Sequence, residues 1–269
     1  MTLLRLTYRA IISLSIAGAP MQASAGTRSV RHASSANLAV QPVSRMAESW
    51  WRARFIDKQQ ELRRGPVDLL WIGDSITQNW ERNGPQDFLR FQPVWQRFYG
   101  DRHAVNLGFK GDSTCHLLWR IDHGELDGIA PRAAIVLIGA NNFGHVHTDA
   151  DQTYDGIVAV VDRIHAKLPA TRILLLGVLP SLRSPWVTAN TARLDDRLRA
   201  SIRVGRPWLS YRDLAPLFGA PGRIDPSRYL DPKLVPPEKP LHPTAQTQQS
   251  IAQAIEPDIA LMLGDRTHR

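Results

Sequence analysis

A chain of 269 residues, 43% hydrophobic and 22% charged, can bury one sizeable core, which excludes wholesale disorder and leaves room for two small domains at most. Its single cysteine, Cys115, excludes an internal disulfide framework and any multi-cysteine zinc site. The net charge of +8 comes from scattered residues, with no polybasic run and no nucleic-acid module, so no nucleic-acid partner is expected.

The first segment, Met1 to Arg9, carries Arg5 and Arg9 and is followed by a short apolar run, Ala10 to Ala19, and by Ala23-Ser24-Ala25. Charge, apolar stretch and small-residue site in that order are a secretory signal pattern over residues 1–25, too short for a confident membrane span. An uncleaved anchor is the weaker alternative. The expected product is exported, periplasmic or secreted, with a net charge of +6 once two arginines and no acid are removed. Such a protein reads first as a soluble basic envelope protein, and second as one weakly attracted to anionic envelope surfaces.

Residues 26–43 are rich in Ser, Ala and Arg without a sustained period, and are expected as a mobile lead-in to a single domain over 44–269. Ser44 to Arg64 predicts a helix ended by Gly65-Pro66, with Trp50, Trp51, Phe55, Ile56 and Leu62 available to cover the domain. Val67 to Ile72 predicts a buried strand that stops at Gly73-Asp74-Ser75 before a helix-compatible segment. Gly84-Pro85 and Pro93 interrupt any long helix beyond it.

Further strands are expected at Ala104 to Leu107, Ala133 to Ile138, Ile173 to Leu179 and, more weakly, Trp208 to Tyr211. Helices are expected at Cys115 to Ile121, Asp149 to Leu168, Thr188 to Val204 and Thr244 to Met262. Strand and helix alternating about five times predict an α/β fold with a parallel sheet covered on both faces. Gly219 to Pro243, proline-rich and aperiodic, predicts a long functional loop.

Three strands end in small or amide-bearing turns: Gly73-Asp74-Ser75, Gly108 to Gly111, and Gly139 to Asn142. Neighbouring parallel strands would gather these turns at one edge. Ser75 there suits a nucleophile, although Asp74 and Ser75 suit a helix cap equally well. The Ser75 and Gly111 N–H groups and the Asn141 amide could then serve as donors to an oxyanion. The base should be a histidine reaching the same edge, and His242, between the long loop and the last helix, is the candidate; Pro243 suits the first position of that helix. His145 and His147 with Asp149 and Asp151 have no metal-ligand spacing and read as a polar loop, and Cys115 falls on a buried helix face.

GDSIT, GFKGDST, IGANN and LHPTA stand in the order of the four sequence blocks of the GDSL-type esterases, or SGNH hydrolases, which this chain resembles from about Val67 to Leu263. The wording GDSITQNW, LIGANN and LLGVLPS is most similar to the platelet-activating-factor acetylhydrolase branch. The resemblance implies a three-layer flavodoxin-like fold with a five-stranded parallel sheet. It also implies ester hydrolysis through an acyl-serine, without cofactor or metal. Carried over by motif, Ser75 is the nucleophile, Ser75, Gly111 and Asn141 form the oxyanion hole, and His242 is the general base.

Two positions depart from the family pattern. Asn142 stands where the third block usually has aspartate, and Lys239 stands at the usual place of the catalytic aspartate, three residues before His242. A lysine cannot accept the imidazole N–H. Glu238 is the first substitute and Asp231 the second, with a Ser–His dyad as a third arrangement. The expected function is removal of short, acetyl-type acyl groups from a small-molecule or glycan ester. Acyl transfer to a sugar acceptor, or a non-catalytic acyl-glycan or lipid binder, are the alternatives.

Overall fold

Five apolar runs become five parallel strands: β1 (Leu69–Gly73), β2 (Ala104–Gly108), β3 (Ala133–Leu137), β4 (Arg172–Leu176) and β5 (Leu209–Arg212). They are seen in a computed structural model that describes residues 36–220 and 223–268. The expected signal segment, 1–25, and residues 26–35 of the expected lead-in lie outside the described residues. The strands lie in the order β2-β1-β3-β4-β5, the flavodoxin-like arrangement expected from the sequence.

Side chains alternate across the pleat, and each face finds its own helices. Leu70, Ile72, Val136 and Leu175 face a core built with α4 (Thr114–Asp122), α5 (Ala150–Lys167) and α6 (Pro185–Ser201). Leu69, Trp71, Ile135 and Leu174 face the other core, against α3 (Phe91–Tyr99) and α7 (Ala245–Leu263). Every residue of β1 and β3 is buried, as apolar strands covered on both faces should be. A smaller aromatic cluster of Trp51, Phe55 and Phe109 fixes α1 (Ser49–Leu62).

The order of strands creates a switch point. The chain leaves β1 for β2 on one side, then returns across β1 to β3, so the turns after β1 and β3 diverge at adjacent strand ends. Ligands of open α/β sheets gather at that place. The register keeps the ends level, with Gly73 opposite Gly108 and Leu137.

Two expectations need correction. Residues 36–43 belong to the fold: Ala39 is fully buried, its carbonyl accepts from Thr114 Oγ1 at 2.7 Å, and Val43 N donates to the Cys115 carbonyl at 3.0 Å. Tertiary packing supplies the order that the segment's own pattern lacks. As expected, no long helix lies among the described residues between β1 and β2: the chain makes short 3-10 turns at Asn79–Glu81 and Asp87–Leu89 and then the nine-residue α3, which holds Pro93 in its first turn, where no intrahelical N–H is needed. Pro243 is not the first residue of α7; Thr244 caps that helix, accepting from Thr247 N at 3.2 Å, and the helix begins at Ala245.

β1, β2 and the short helix α2 (Ser75–Gln78) approach closely enough that only glycine fits at the strand ends. A Cβ on Gly108 would lie 2.2 Å from Gln78 N and 2.6 Å from Thr77 C, both main-chain atoms that cannot turn aside. Gly108→Ala should therefore lower stability by about 3 kcal/mol or more in urea unfolding, an overpacking penalty at the upper end of the usual range. A loss below about 1 kcal/mol would show that the turn can move away.

Candidate active site

The turn after β1 serves both roles that the sequence left open. Asp74 caps α2, its Oδ1 accepting from Ile76 N at 2.9 Å, and this places Ser75 at the first position of α2. Ser75 is buried apart from 9% of its surface. Its Oγ lies 2.9 Å from His242 Nε2, across 167 residues of sequence.

His242 is held from behind by Asp231. Its Nδ1 lies 2.6 Å from Asp231 Oδ1, while Asp231 Oδ2 accepts from the backbone N–H groups of Leu241 at 2.8 Å and His242 at 2.6 Å. Burial pushes the Asp231 carboxyl up, but the His242 contact and those two N–H groups outweigh it, so its pKa lies below the ordinary value. A carboxylate so held fixes the imidazole tautomer with Nδ1–H toward Asp231 and the basic Nε2 toward Ser75.

The first substitute expected for the missing aspartate, Glu238, is not at the histidine. Its side chain is exposed, and only its backbone N–H takes part, donating to the Asp231 carbonyl at 3.0 Å. Asp231 arrives because the two ends of the loop pair with each other. Leu230 N donates to the His242 carbonyl at 2.9 Å, Thr244 N donates to the Arg228 carbonyl at 2.9 Å, and Tyr229 bridges Pro243. The place of the usual aspartate, Lys239, points elsewhere, its Nζ donating to the Arg183 carbonyl at 3.0 Å.

The expected oxyanion donors surround the same serine edge. Gly111 has φ +78°, a left-handed conformation that suits glycine. Among the described residues neither the Ser75 nor the Gly111 N–H has a protein acceptor, leaving both for a ligand. Asn141 joins the three turns: its Nδ2 donates to the Asp112 carbonyl at 2.9 Å and stands 3.4 Å from Asp74 Oδ2. The second contact is at the long limit of a hydrogen bond, so Asp74 holds that N–H only weakly. Asn142, at the family's usual aspartate position, binds the α4 start through Thr114 N at 3.0 Å and Thr114 Oγ1 at 2.8 Å.

Sequence reasoning missed the supports of the Gly111 loop. Asp112 is fully buried and accepts from Trp51 Nε1 and Arg45 Nη1, each at 2.8 Å, and from Arg120 Nε at 2.9 Å. Arg120 also pairs with buried Glu125 and lies over the Phe109 ring, 4.0 Å from its centroid. A readable signal existed: Arg120 interrupts the apolar face Leu117, Leu118, Ile121, and a buried charge demands a partner. A cleft of about 870 Å³ opens at Gly111, between Trp50, Lys110, His116 and His145. Cys115 is buried, with its thiol pushed up to about 11 chiefly by burial, which keeps it protonated and unreactive. Asp149 caps α5, and Asp151 pairs with Arg193 and Arg197, so neither acid faces His145 and His147 as a ligand pair.

Burial pushes the Asp74 carboxyl up to about 6; the Ile76 N–H and His242 oppose the rise, and Asp112 adds to it. The folded state therefore binds this proton more tightly than the unfolded chain, so stability falls as pH rises between the ordinary value of 3.8 and about 6. Over that window the wild type should lose on the order of 3 kcal/mol relative to Asp74→Asn in chemical unfolding. Parallel pH profiles for the two proteins would refute the raised pKa.

Residues 71–249 match the profile described as GDSL-like Lipase/Acylhydrolase family. The alpha1 subunit of platelet-activating factor acetylhydrolase IB from Bos taurus is 33% identical over 152 residues, 56% of this chain and 60% of that protein. The chain thus spans under two thirds of the length of this curated relative. Among solved structures, a GDSL-like lipase from Bacteroides thetaiotaomicron superposes with a TM-score of 0.61 at 15% identity, covering 78% of this chain and 97% of that one. A carbohydrate esterase family 3 protein from Talaromyces cellulolyticus superposes at 0.53 with 14% identity, covering 75% and 100%. At these identities the structural likenesses establish a common fold.

Proposed function

The chain belongs to the GDSL-like lipase/acylhydrolase family, and from that premise we propose that it is an exported serine esterase removing short, acetyl-type acyl groups from a small or carbohydrate-borne ester. The observation that carries the reading is the continuous relay from Ser75 Oγ through His242 to Asp231. The acetylhydrolase relative and the carbohydrate esterase neighbour support the acyl and substrate classes. The amino-terminal pattern supports export.

In this mechanism the Ser75 oxygen attacks the ester carbonyl carbon as His242 Nε2 takes its proton. Asp231 stabilises the imidazolium without itself becoming protonated. Charge developing on the carbonyl oxygen is met by the Ser75 and Gly111 N–H groups and by the Asn141 amide, donors placed before the reaction begins. Collapse of the tetrahedral intermediate breaks the ester C–O bond, and His242 returns its proton to the departing alcohol. Water then repeats the sequence against acyl-Ser75, releasing the acid and restoring the serine.

Ser75→Ala should reduce hydrolysis of 4-nitrophenyl acetate by thousands-fold or more with the fold unchanged by circular dichroism. Asp231→Asn should cost roughly 10^2- to 10^4-fold in kcat by loss of the correct tautomer. Glu238→Gln should stay within about twofold of wild type, since its carboxylate is remote from the relay and exposed surface changes are usually small. The reverse ranking of these two acids would overturn the triad. Acetyl esters should also exceed octanoyl esters in kcat/KM, and the opposite order would move the substrate to longer acyl chains.

A further inference from the structure

Arg183 lies in the loop after β4, between the two halves of the candidate site. Its Nη2 donates at 2.6 Å to the carbonyl of Ala140, the residue before Asn141. On the other side its own carbonyl accepts from Lys239, three residues before His242. Its Nε stands 3.3 Å from Ser181 Oγ, which in turn donates to the Pro240 carbonyl at 2.9 Å. Nη1 stands over Gly144, occupying the space of a side chain: a Cβ there would lie 2.2 Å away.

The charge on this guanidinium has no counter-ion among the described residues. Among the described residues no carboxylate lies within ion-pair distance of Arg183 or Lys239, and Nη1 has no protein acceptor. The nearby acids are committed, Asp74 to Ile76 N and Asp231 to His242. Burial pulls the Arg183 pKa down, although Asp74 and Asp231 act to raise it. A half-buried cation without a partner is unfavourable unless something else supplies the anion. Guanidinium is suited to that task, because its planar fork matches a carboxylate.

Resting on the esterase reading, we propose that Arg183, assisted by Lys239, binds a carboxylate on the alcohol portion of the substrate, so the preferred substrate is an acyl ester of an acidic alcohol. Lys239 then has a role at the position where the family pattern read from the sequence expects the catalytic aspartate. With the acid supplied from Asp231, that position is free to carry the opposite charge.

Matched neutral and charged substrates test this: 4-acetoxybenzoate and its methyl ester, with the 3-acetoxy pair as a second geometry. The wild type should prefer the carboxylate by about tenfold or more in kcat/KM, mostly through KM, as a charge-assisted hydrogen bond provides. Arg183→Gln should abolish the preference, Arg183→Lys should restore part of it, and Lys239→Gln should weaken it. A wild type indifferent to the carboxylate in both geometries overturns the proposal, as does an Arg183→Gln variant that loses both esters by the same factor. Should the wild type hydrolyse none of the four esters, the esterase reading fails separately. Calorimetric titration of 4-hydroxybenzoate then decides the anion site: binding lost in Arg183→Gln supports it, and no binding to wild type refutes it.

Discussion

The buried carboxylate of Asp112 is the interaction on which the site's geometry rests. Its two oxygens hold α1 through Trp51, the segment before α1 through Arg45, and α4 through Arg120. Its main-chain oxygen holds Asn141 at the end of β3. Gly111 immediately precedes it, so one fully buried residue fixes the position of the Gly111 backbone N–H. Removing one partner from such a pair leaves a charge uncompensated, a loss on the order of 3–5 kcal/mol. Arg45 and Trp51 precede residues 71–249, which match the family model, so this brace on the Gly111 loop comes from outside the matched residues.

Around that brace, the sheet and the long loop divide the remaining work. The strand ends bring Ser75, Gly111 and Asn141 together because β1, β2 and β3 are adjacent and end in register. The loop brings the histidine and its carboxylate as a pair, already hydrogen-bonded to each other. Gln248 on α7 fastens this half to the first, its Nε2 donating at 2.7 Å to the Ile76 carbonyl in the turn of α2. The Ser75–His242 contact is thus set by packing between α7 and the strand ends, whereas the His242–Asp231 contact is local.

The strands, the layer order and the turns that carry the candidate site residues were legible because each leaves a pattern in the chain. Apolar runs without alternation mark strands buried on both faces, and glycine or amide turns mark strand ends where side chains must clear a ligand. Ser75, Gly111, Asn141 and His242 were found from such turns and from motif order. Asp231 was ranked behind Glu238 because spacing along the chain was used as a substitute for distance through space. The antiparallel pairing of residues 228–231 with 241–244 depends on backbone hydrogen bonds, which side-chain composition does not display. Residues 36–43 have no period, since Ala39 is packed by α4 and α5 rather than by its own segment.

The eleven-residue separation of Asp231 from His242 bears on how such enzymes can diversify. Closing a flexible loop becomes harder only with the logarithm of its length, so replacing a three-residue spacing by this one adds about 1 kcal/mol of entropy cost. Pro236, Pro237 and Pro240 stiffen the unfolded segment and offset a loss of that size. A histidine–carboxylate pair that closes upon itself is therefore a cassette whose internal length can drift while the half carrying Ser75 stays unchanged. New residues admitted into the enlarged loop lie beside Ser75 from the moment they appear, and the loop becomes a place where the surroundings of the candidate site can be rewritten without rebuilding its core.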